Sequence, residues 1–213
     1  MTDQVQLPVR LVLASGSPAR LRVLRQSGID PEVIVSGVDE SIESIESTED
    51  LDTPGVVAVL AERKASVVAP SRVGSLVLGC DSMLDLDGTA LGKPVSPREA
   101  TEIWARLAGR EATLYTGHCL VSPWGASLTE VAGTSVRFGR PTSEEIAAYV
   151  SSGEPEELAG AFSIDGLGAP FVDGIDGDAS NVLGLSLPLL RRMLTTFGIR
   201  MFDLWSSPTQ SLR

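Results

Sequence analysis

Short apolar runs rich in valine, leucine and aromatic residues recur along the chain, and polar segments with helix-start signals separate them. Runs of this length and composition are typical of β-strands with at least one buried face. The predicted strands lie near 9–14, 32–36, 75–80, 113–121, 129–138 and 160–173.

Helix starts are marked by a hydroxyl residue directly before a proline. Ser17, Thr53 and Ser96 each occupy such a position, where the hydroxyl caps the helix and proline suits its first turn. The predicted helices cover about 18–27, 54–69, 97–107, 143–151 and 187–197.

The order of these elements predicts an α/β protein with a mixed, twisted sheet and flanking helices. Helices and strands alternate in the first half, whereas strands follow one another in the middle. At 213 residues and 43% hydrophobic composition, the chain is long enough for one large domain or two closely joined lobes. Asp39 to Asp50 is acidic and serine-rich, which predicts a solvated linker.

The turn from Ala14 to Arg20 is a candidate anion site. It follows the apolar run Val9 to Leu13 and joins serine and glycine residues to a helix that opens with Ser17 and Pro18. The free amides of a first helical turn, the positive end of the helix dipole and a guanidinium all favour a bound phosphate. An ordinary strand-to-helix turn is the alternative.

A second candidate is Asp81, which follows the apolar run Leu76 to Cys80. Such a run predicts a fully buried strand, and open α/β sheets bind ligands beyond the carboxyl ends of their strands. The alternative is an aspartate that caps a turn.

Asp87-Gly88 predicts a two-residue hairpin turn directly after this strand. The hairpin would pair Leu86 with Thr89, Leu84 with Leu91, and Ser82 with Lys93. Lys93 would then lie beside Asp81, although a bulge or local twist is needed to turn both side chains to one pocket.

Composition narrows the class of partner. A net charge of −11 with no basic block argues against nucleic-acid binding. A small anionic substrate would need a locally positive pocket, completed by a divalent metal. No apolar run reaches the roughly 20 residues of a membrane span, and no signal peptide is evident, so we expect a cytoplasmic protein. Cys80 and Cys119 form no CxxC pair, so neither a disulfide framework nor a zinc site is expected.

Two further polar residues, Lys64 and His118, each have a simpler explanation than a catalytic role. Lys64 lies in an otherwise apolar helix and reads most simply as a solvated lysine. His118 is the single histidine and lies in a strand, which favours a structural imidazole over a catalytic one.

Together these segments resemble the Maf family of nucleotide pyrophosphatases, also called septum-formation inhibitor proteins. The resemblance covers nearly the whole chain, and the order and spacing of the segments make it specific. It rests on LVLASGSPARLRVLRQSGI at the start, VDES at 38–41, AERKA at 61–65, LGCDSM at 79–83 with its neighbour, LGKP at 91–94, YTGH at 115–118, EEIAAYVSSGEP at 144–155, AGAFSIDGLGAPFVDGIDG at 159–177 and NVLGLSLPLL at 181–190.

The resemblance implies a single domain over 1–213 with two lobes around a deep nucleotide-binding cleft, similar to inosine triphosphate pyrophosphatase. It implies hydrolysis of nucleoside triphosphates, including modified ones, to monophosphate and pyrophosphate, and a link to septum formation. Asp81 is then the general base, and Glu40, Lys64 and Lys93 are its catalytic partners. Ser15, Ser17 and Arg20 bind the triphosphate, with Ser82 and Asp165 as further substrate-binding residues.

Glu40 and Asp81 are suitable oxygen ligands for Mg²⁺ or Mn²⁺, which is the cofactor that we expect. Two departures from the family pattern bear on the substrate. Ala19 replaces the first of two arginines that many relatives carry. Asp165 stands where relatives have glutamine or glutamate, which leaves the base preference open between dTTP or UTP, 7-methyl-GTP and other modified nucleotides.

A nucleotide-binding regulator of septum formation without turnover is the main alternative, and a nucleotidyltransferase is a weaker one. The apolar tail with Phe202, Leu204 and Trp205 is a candidate contact surface for a homodimer. Alternatively, these three residues pack on their own core.

Overall fold

A computed structural model describes residues 9–40 and 51–206. Within these ranges a seven-stranded mixed sheet carries helices around it, as the element order predicts. The strands are β1 (Leu11–Leu13), β2 (Glu32–Val33), β3 (Leu76–Leu86), β4 (Thr89–Leu91), β5 (Glu111–Val121), β6 (Ser127–Phe138) and β7 (Val172–Asp176). The α-helices are α1 (Pro18–Gln26), α2 (Thr53–Val68), α3 (Pro97–Leu107), α4 (Ser143–Ser151), α5 (Ala179–Val182) and α6 (Leu187–Thr196).

The strand order is β2-β1-β3-β5-β6-β7, with β4 paired to β3. β1 runs parallel to β2 and β3, and the other pairings are antiparallel. β5 follows one edge of β3 from Val77 to Asp85. β1 and β4 therefore share the other edge, β1 beside residues 76–78 and β4 beside 84–86. Between them, residues 79–83 have no strand partner on that edge among the described residues, and the site described below lies at this gap.

Capping side chains start the helices where the sequence predicts them, with one exception. Ser17, Ser96 and Thr142 accept hydrogen bonds from the first turns of α1, α3 and α4. The assignment of Thr53 as the cap of α2 is wrong. Asp52 caps that helix through a 2.9 Å bond from the amide of Gly55, and the Thr53 hydroxyl donates to Asp85 instead.

Helix α2 packs against the sheet at two glycines. A Cβ atom on Gly79 would lie 2.3 Å from the carbonyl oxygen of Ala61, and one on Gly117 would lie 2.1 Å from that of Val57. Only glycine permits so close an approach, since real Cβ atoms do not come within 3.0 Å of backbone. This packing brings the middle of α2 against the middle of β3.

Two of the hydrophobic clusters lie at opposite ends of β3. Leu78 and Cys80 pack with α1 and α6, whereas Leu84 and Leu86 pack around the buried ring of Trp104. Asp81 and Ser82 lie between these clusters, where β3 is polar. The prediction that Asp81 lies at the carboxyl end of a strand is therefore wrong. Pairing with β4 and β5 extends β3 to Leu86 and places Asp81 at its centre.

The hairpin is confirmed at its turn. Asp87 and Gly88 both have positive φ, and Leu84 and Leu86 pair with Leu91 and Thr89 as predicted. The third predicted pair, Ser82 with Lys93, does not form, because β4 ends at Leu91.

The predicted strand at 160–173 is wrong. Short 3₁₀ turns occupy Ala159–Ala161 and Ala169–Phe171, and β7 begins only at Val172. Gly160 and Ala161 both have positive φ, which extended strands do not tolerate. Residues 41–50 of the predicted linker lie outside the described residues.

The three apolar residues of the C-terminal tail differ in burial. Leu204 is buried in the cluster around α6, whereas Phe202 and Trp205 remain more than half exposed. Trp205 packs on Gly28. Thus one tail residue packs on its own core, and the homodimer stays a prediction. Among the described residues, no helix is long and apolar enough to cross a membrane.

Candidate active site

Lys64 of α2 joins two carboxylates at the centre of the site. Its ammonium nitrogen lies 2.7 Å from Oδ1 of Asp81 and 2.7 Å from Oε1 of Glu40. The side chains of Lys64 and Asp81 are 3% and 6% exposed, whereas that of Glu40 is 54% exposed. The interpretation of Lys64 as a solvated lysine is therefore wrong. The Lys64–Asp81 pair is buried, and the half-exposed Glu40 lies between Lys64 and solvent.

Burial raises the pKa of the Asp81 carboxyl, because desolvation penalises its charged form. The positive charges of Lys64 and Arg20 act in the opposite direction and limit this increase. Asp81 is thus a carboxylate with enhanced proton affinity, held next to a cation. Such a combination of burial and a specific charge partner is typical of functional sites.

Glu40 responds differently because it is half exposed. Desolvation is the largest single influence and acts to raise its pKa, but the Lys64 hydrogen bond and the charges of Lys64, Arg20 and Lys93 together lower the pKa below the ordinary value. Glu40 is therefore ionised at neutral pH. The charge of Lys93, an exposed lysine, thus acts on the Glu40 carboxylate.

The turn after β1 reaches the same gap from the other side. Ser17 caps α1 by accepting from the amide of Arg20, and the amide of Ser17 donates to the hydroxyl of Ser15 at 3.2 Å. Ala14 is still bonded to β3, through a 2.8 Å bond from its amide to the carbonyl of Leu78. Ser15, Ser17 and the open first turn of α1 therefore lie where β3 loses its strand partner.

Arg20 is buried and held by three acceptors. Its Nε donates to the carbonyl of Gly184 at 2.8 Å, Nη1 to Ser15 Oγ at 3.0 Å and Nη2 to Ser82 Oγ at 3.0 Å. A guanidinium has five N–H groups, so each terminal nitrogen keeps a second donor. Such a fork suits the paired oxygens of a phosphate.

The structure thus brings together most of the residues that the sequence singled out. Glu40, Lys64 and Asp81 meet directly, and Arg20 links Ser15 to Ser82 beside them. Lys93 is exposed and forms no strand pair with Ser82. The deep cleft implied by the resemblance stays a prediction, since residues 41–50, which follow Glu40, lie outside the described residues.

Asp165 lies apart from this group, on the loop between the two 3₁₀ turns. Its carboxylate forms an ion pair with Arg22 of α1, and both side chains are partly exposed. The contact joins the Asp165 loop to the helix that carries Ser17 and Arg20. The role of Asp165 in substrate binding stays a prediction.

Glu154 organises the Asp165 loop and was missed by the sequence reasoning. Its carboxylate accepts from the hydroxyls of Tyr149 and Ser163 and from the amides of Leu167 and Gly168, at 2.6 to 3.2 Å. These bonds outweigh desolvation, the largest single influence, and lower the pKa of Glu154. The segment EEIAAYVSSGEP contains this residue, but only the folded loop shows what it bonds.

Two other residues around the site were also missed. Thr116 of β5 hydrogen-bonds Ser82, and Gly184 supplies the carbonyl that orients Arg20. The strand register pairs Ser82 directly with Thr116. The YTGH segment was noted for its resemblance alone, and no local pattern indicates a partner 34 residues away.

His118 is structural, as the sequence favours. Its Nε2 accepts from the amide of Ser186, so Nδ1 carries the proton and donates to the carbonyl of Thr116 at 3.0 Å. Burial lowers the pKa of His118 to about 4, which keeps the ring neutral. The imidazole therefore anchors the start of α6 to β5.

The donor set fits a divalent metal only in part. The described residues contain no group of three or more His, Cys, Asp or Glu side chains that could hold an ion by themselves. Mg²⁺ is commonly bound by one or two carboxylates together with substrate phosphates. Lys64 contacts one oxygen of Glu40 and one of Asp81, and each carboxylate has a second oxygen. These two carboxylates fit a metal that the substrate helps to bind.

The comparisons with known proteins extend over nearly the whole chain. A family model described as Maf-like protein matches residues 10–197. A protein of Streptomyces avermitilis named nucleoside triphosphate pyrophosphatase is 57% identical over 212 residues, which cover 97% of this chain and 98% of its own. One of the same name from Streptomyces coelicolor is 57% identical over 204 residues, which cover 92% and 95%.

Solved structures are more distant. A Mycobacterium abscessus structure described as a nucleoside-triphosphatase or dITP/XTP pyrophosphatase is 17% identical and covers 89% of this chain and 94% of its own, with a TM-score of 0.39. A likeness of this size carries no argument about function.

Proposed function

Since this chain belongs to the Maf-like protein family, we propose that it hydrolyses nucleoside triphosphates to nucleoside monophosphate and pyrophosphate. The observation that carries the proposal is the buried Lys64–Asp81 pair beside the serine turn of α1. A carboxylate with enhanced proton affinity and a set of phosphate donors lie at one gap in the sheet.

Charge neutralisation is the first task of such a site. Attack of water on the α-phosphorus adds negative charge to a group that is already anionic. Arg20, Ser15, Ser17 and the first-turn amides of α1 would bind the phosphates. Lys93 is exposed and its charge lowers the pKa of Glu40, and this lysine would contact the leaving pyrophosphate. These groups supply locally the positive field that a chain of net charge −11 lacks.

Activation of water is the second task, and it falls to Asp81. A general base works best when its proton affinity approaches the operating pH, and burial moves the pKa of Asp81 upward. Lys64 keeps the carboxylate oriented through the 2.7 Å bond to Oδ1. Oδ2 would then accept the proton of the attacking water.

Glu40 and Asp81 would hold a divalent metal, Mg²⁺ or Mn²⁺, with their second oxygens. Such an ion supplies Lewis-acid stabilisation of the phosphate charge. Because Lys64 already bonds both carboxylates, the protein keeps them together before any ion binds.

The substrate is selected by its base, and we propose that it is one or a few selected or modified nucleotides, consistent with a house-cleaning role. Asp165 is the candidate contact with the base edge. An ionised carboxylate only accepts hydrogen bonds, whereas an amide also donates. A link between this activity and septum formation is part of the same proposal.

A substrate panel tests the activity. Purified protein with Mg²⁺ or Mn²⁺ is incubated with dTTP, UTP, 7-methyl-GTP and other modified triphosphates, and pyrophosphate and orthophosphate are measured separately. We expect pyrophosphate from at least one member, and loss of turnover in Asp81→Asn. Asp85→Asn is the matched control, because Asp85 lies on the same strand and bonds Thr53 and the amide of Gly88 instead.

Release of orthophosphate in place of pyrophosphate would overturn the proposal. So would full turnover in Asp81→Asn. Binding of a triphosphate without any turnover by the wild-type protein would favour the non-catalytic regulator instead.

A further inference from the structure

A chain of hydroxyls continues inward from Arg20, from the partly buried Ser82 to the buried Thr116. Nη2 of Arg20 lies 3.0 Å from Ser82 Oγ, which lies 2.9 Å from Thr116 Oγ1. Thr116 Oγ1 in turn lies 3.3 Å from the carbonyl oxygen of Asn181. Thr116 is fully buried, so its hydroxyl exchanges no hydrogen bond with solvent.

The direction of each proton in this chain follows from donor counting. A carbonyl oxygen only accepts, so Thr116 must donate its single proton to Asn181. Thr116 therefore accepts a hydrogen bond from Ser82, and the hydroxyl proton of Ser82 is donated in that bond. Ser82 also accepts from Arg20, since a guanidinium has donors alone. All the protons point from Arg20 toward the Asn181 carbonyl.

Ser15 shows the opposite arrangement. Its oxygen accepts twice, from the amide of Ser17 and from Nη1 of Arg20. Both lone pairs are then occupied, and no described residue accepts its hydroxyl proton. Arg20 thus contacts two serines whose hydroxyl protons point in different directions. The proton of Ser15 is available to a phosphate, whereas the proton of Ser82 is donated to Thr116 inside the protein.

We propose that Thr116 and Ser82 are positioning residues, which hold the guanidinium of Arg20 in the orientation that binds the triphosphate. This inference rests on the proposed function and adds to it a role for two hydroxyls. Hydrogen bonds arranged in one direction polarise and strengthen one another. Fixed on three sides, the guanidinium presents its remaining N–H groups without reorganisation when substrate binds.

The acceptor at the inner end is itself held in place. The side-chain amide of Asn181 donates to the carbonyl of Leu114 at 3.1 Å and to Thr134 Oγ1 at 3.1 Å. The same segment supplies the Gly184 carbonyl for Nε of Arg20. A Cβ on Gly184 would lie 3.2 Å from that nitrogen, and its φ is +92°. The segment therefore anchors the guanidinium at two points.

The test removes the Thr116 hydroxyl with little change in shape. Thr116→Val is expected to lower kcat/KM about tenfold, the effect of losing one or two buried hydrogen bonds. Thr116→Ser keeps the hydroxyl and is expected to stay within about twofold of wild type. Ser122→Ala is the control, since it removes a buried hydroxyl directly after β5 that accepts from the amide of Ala126 and does not contact Ser82, Thr116 or Arg20.

A double-mutant cycle separates positioning from direct substrate binding. If Ser82 acts through Arg20, Ser82→Ala lowers kcat/KM by a similar factor, Ser82→Thr restores it, and Thr116→Val has no further effect in the Ser82→Ala background. Circular dichroism and melting temperature check each fold. Should Thr116→Val not fold, the Ser82→Ala and Ser82→Thr pair decides the matter, because Ser82 is only partly buried.

Wild-type kcat/KM in Thr116→Val, an equal loss in Ser122→Ala, or additive losses in the cycle would each overturn the positioning role. These outcomes are distinct from failure of the proposed function. If the proposed function fails, the wild-type protein itself releases no pyrophosphate from any triphosphate, and the positioning role fails together with the proposed function.

Discussion

At the residue scale, the proposed chemistry depends on a buried lysine that bonds two carboxylates. Lys64 and Asp81 are nearly inaccessible, and each compensates the desolvation of the other. Removing one partner of such a pair leaves an uncompensated buried charge, which costs more than the pair contributes. We therefore expect the same contact to affect both stability and turnover.

Lys64→Met is expected to abolish turnover and to lower the free energy of unfolding by about 3 kcal/mol, because the Asp81 carboxylate remains buried without its cation. Adding Asp81→Asn should recover part of this stability without recovering turnover. Denaturant titration of the two single variants and the double variant measures both effects. Equal destabilisation in Lys64→Met with and without Asp81→Asn would contradict the pairing.

His118 makes a separate, pH-dependent contribution. Burial lowers its folded pKa to about 4, whereas the unfolded value is near 6.5. The unfolded state therefore binds more protons between these values, so stability is complete above pH 6.5 and is lost as the pH falls toward 4.

The His118→Gln variant isolates this effect, since glutamine can still accept from the amide of Ser186. We expect the stability difference between wild type and this variant to shrink by about 3 kcal/mol between pH 7 and pH 4. Chemical denaturation at several pH values gives the difference. A constant difference over this range would show that His118 is not held neutral.

Local patterns predicted some site residues and not others. Asp81 was predicted from the apolar run before it, and Ser17 from its position before Pro18. Lys64 was identified by resemblance alone, since its burial depends on how α2 packs on the sheet. Thr116 and Glu154 were missed, because their partners depend on strand register and on loop folding.

At the element scale, the site depends on where strands stop. β1 pairs with β3 as far as Leu78, and β4 pairs with β3 only from Leu84 onward. Among the described residues, the middle of β3 therefore has no strand partner on this edge. α2 covers one face at this level through the close contacts of Gly79 and Gly117. The distance between α2 and β3 therefore sets the distance between Lys64 and Asp81.

Gly79→Ala tests this dependence. The added Cβ would lie 2.3 Å from the carbonyl oxygen of Ala61 and 2.7 Å from the amide nitrogen of Ala65. We expect α2 to move away from the sheet, with a loss of about 2 kcal/mol in stability and reduced turnover. Thermal unfolding and the pyrophosphate assay report the two effects.

Gly92→Ala is the control for stability, because a Cβ at that position meets no atom within 4 Å. Its melting temperature should equal that of wild type. An unchanged melting temperature in Gly79→Ala would mean that α2 does not pack as closely as described.

Helices were easier to predict than strands for a physical reason. Capping and proline signals are local, and α3 and α4 begin and end where the sequence places them. Strands depend on distant partners. β3 is lengthened by pairing with β5, and the glycine-rich segment at 160–173 folds around the Glu154 carboxylate instead of pairing.

At the scale of the whole molecule, the protein is acidic, yet three of its basic side chains act on one carboxylate of the candidate site. Lys64, Arg20 and Lys93 all act on the Glu40 carboxylate, although the chain carries a net charge of −11. The sequence pattern predicted the mixed sheet that the structure shows. The predictions of base preference and of a homodimer rest on partly exposed side chains, such as those of Asp165 and Trp205, and concern molecules outside the chain itself.

Hydrolysis in oxygen-18-labelled water is the most direct test of the central claim. The triphosphate with the highest turnover in the panel is hydrolysed, and both products are analysed by mass spectrometry. In the proposed reaction, water activated by Asp81 attacks the α-phosphorus, so we expect one labelled oxygen in the nucleoside monophosphate and none in pyrophosphate. Label in pyrophosphate or in orthophosphate would contradict the proposed reaction.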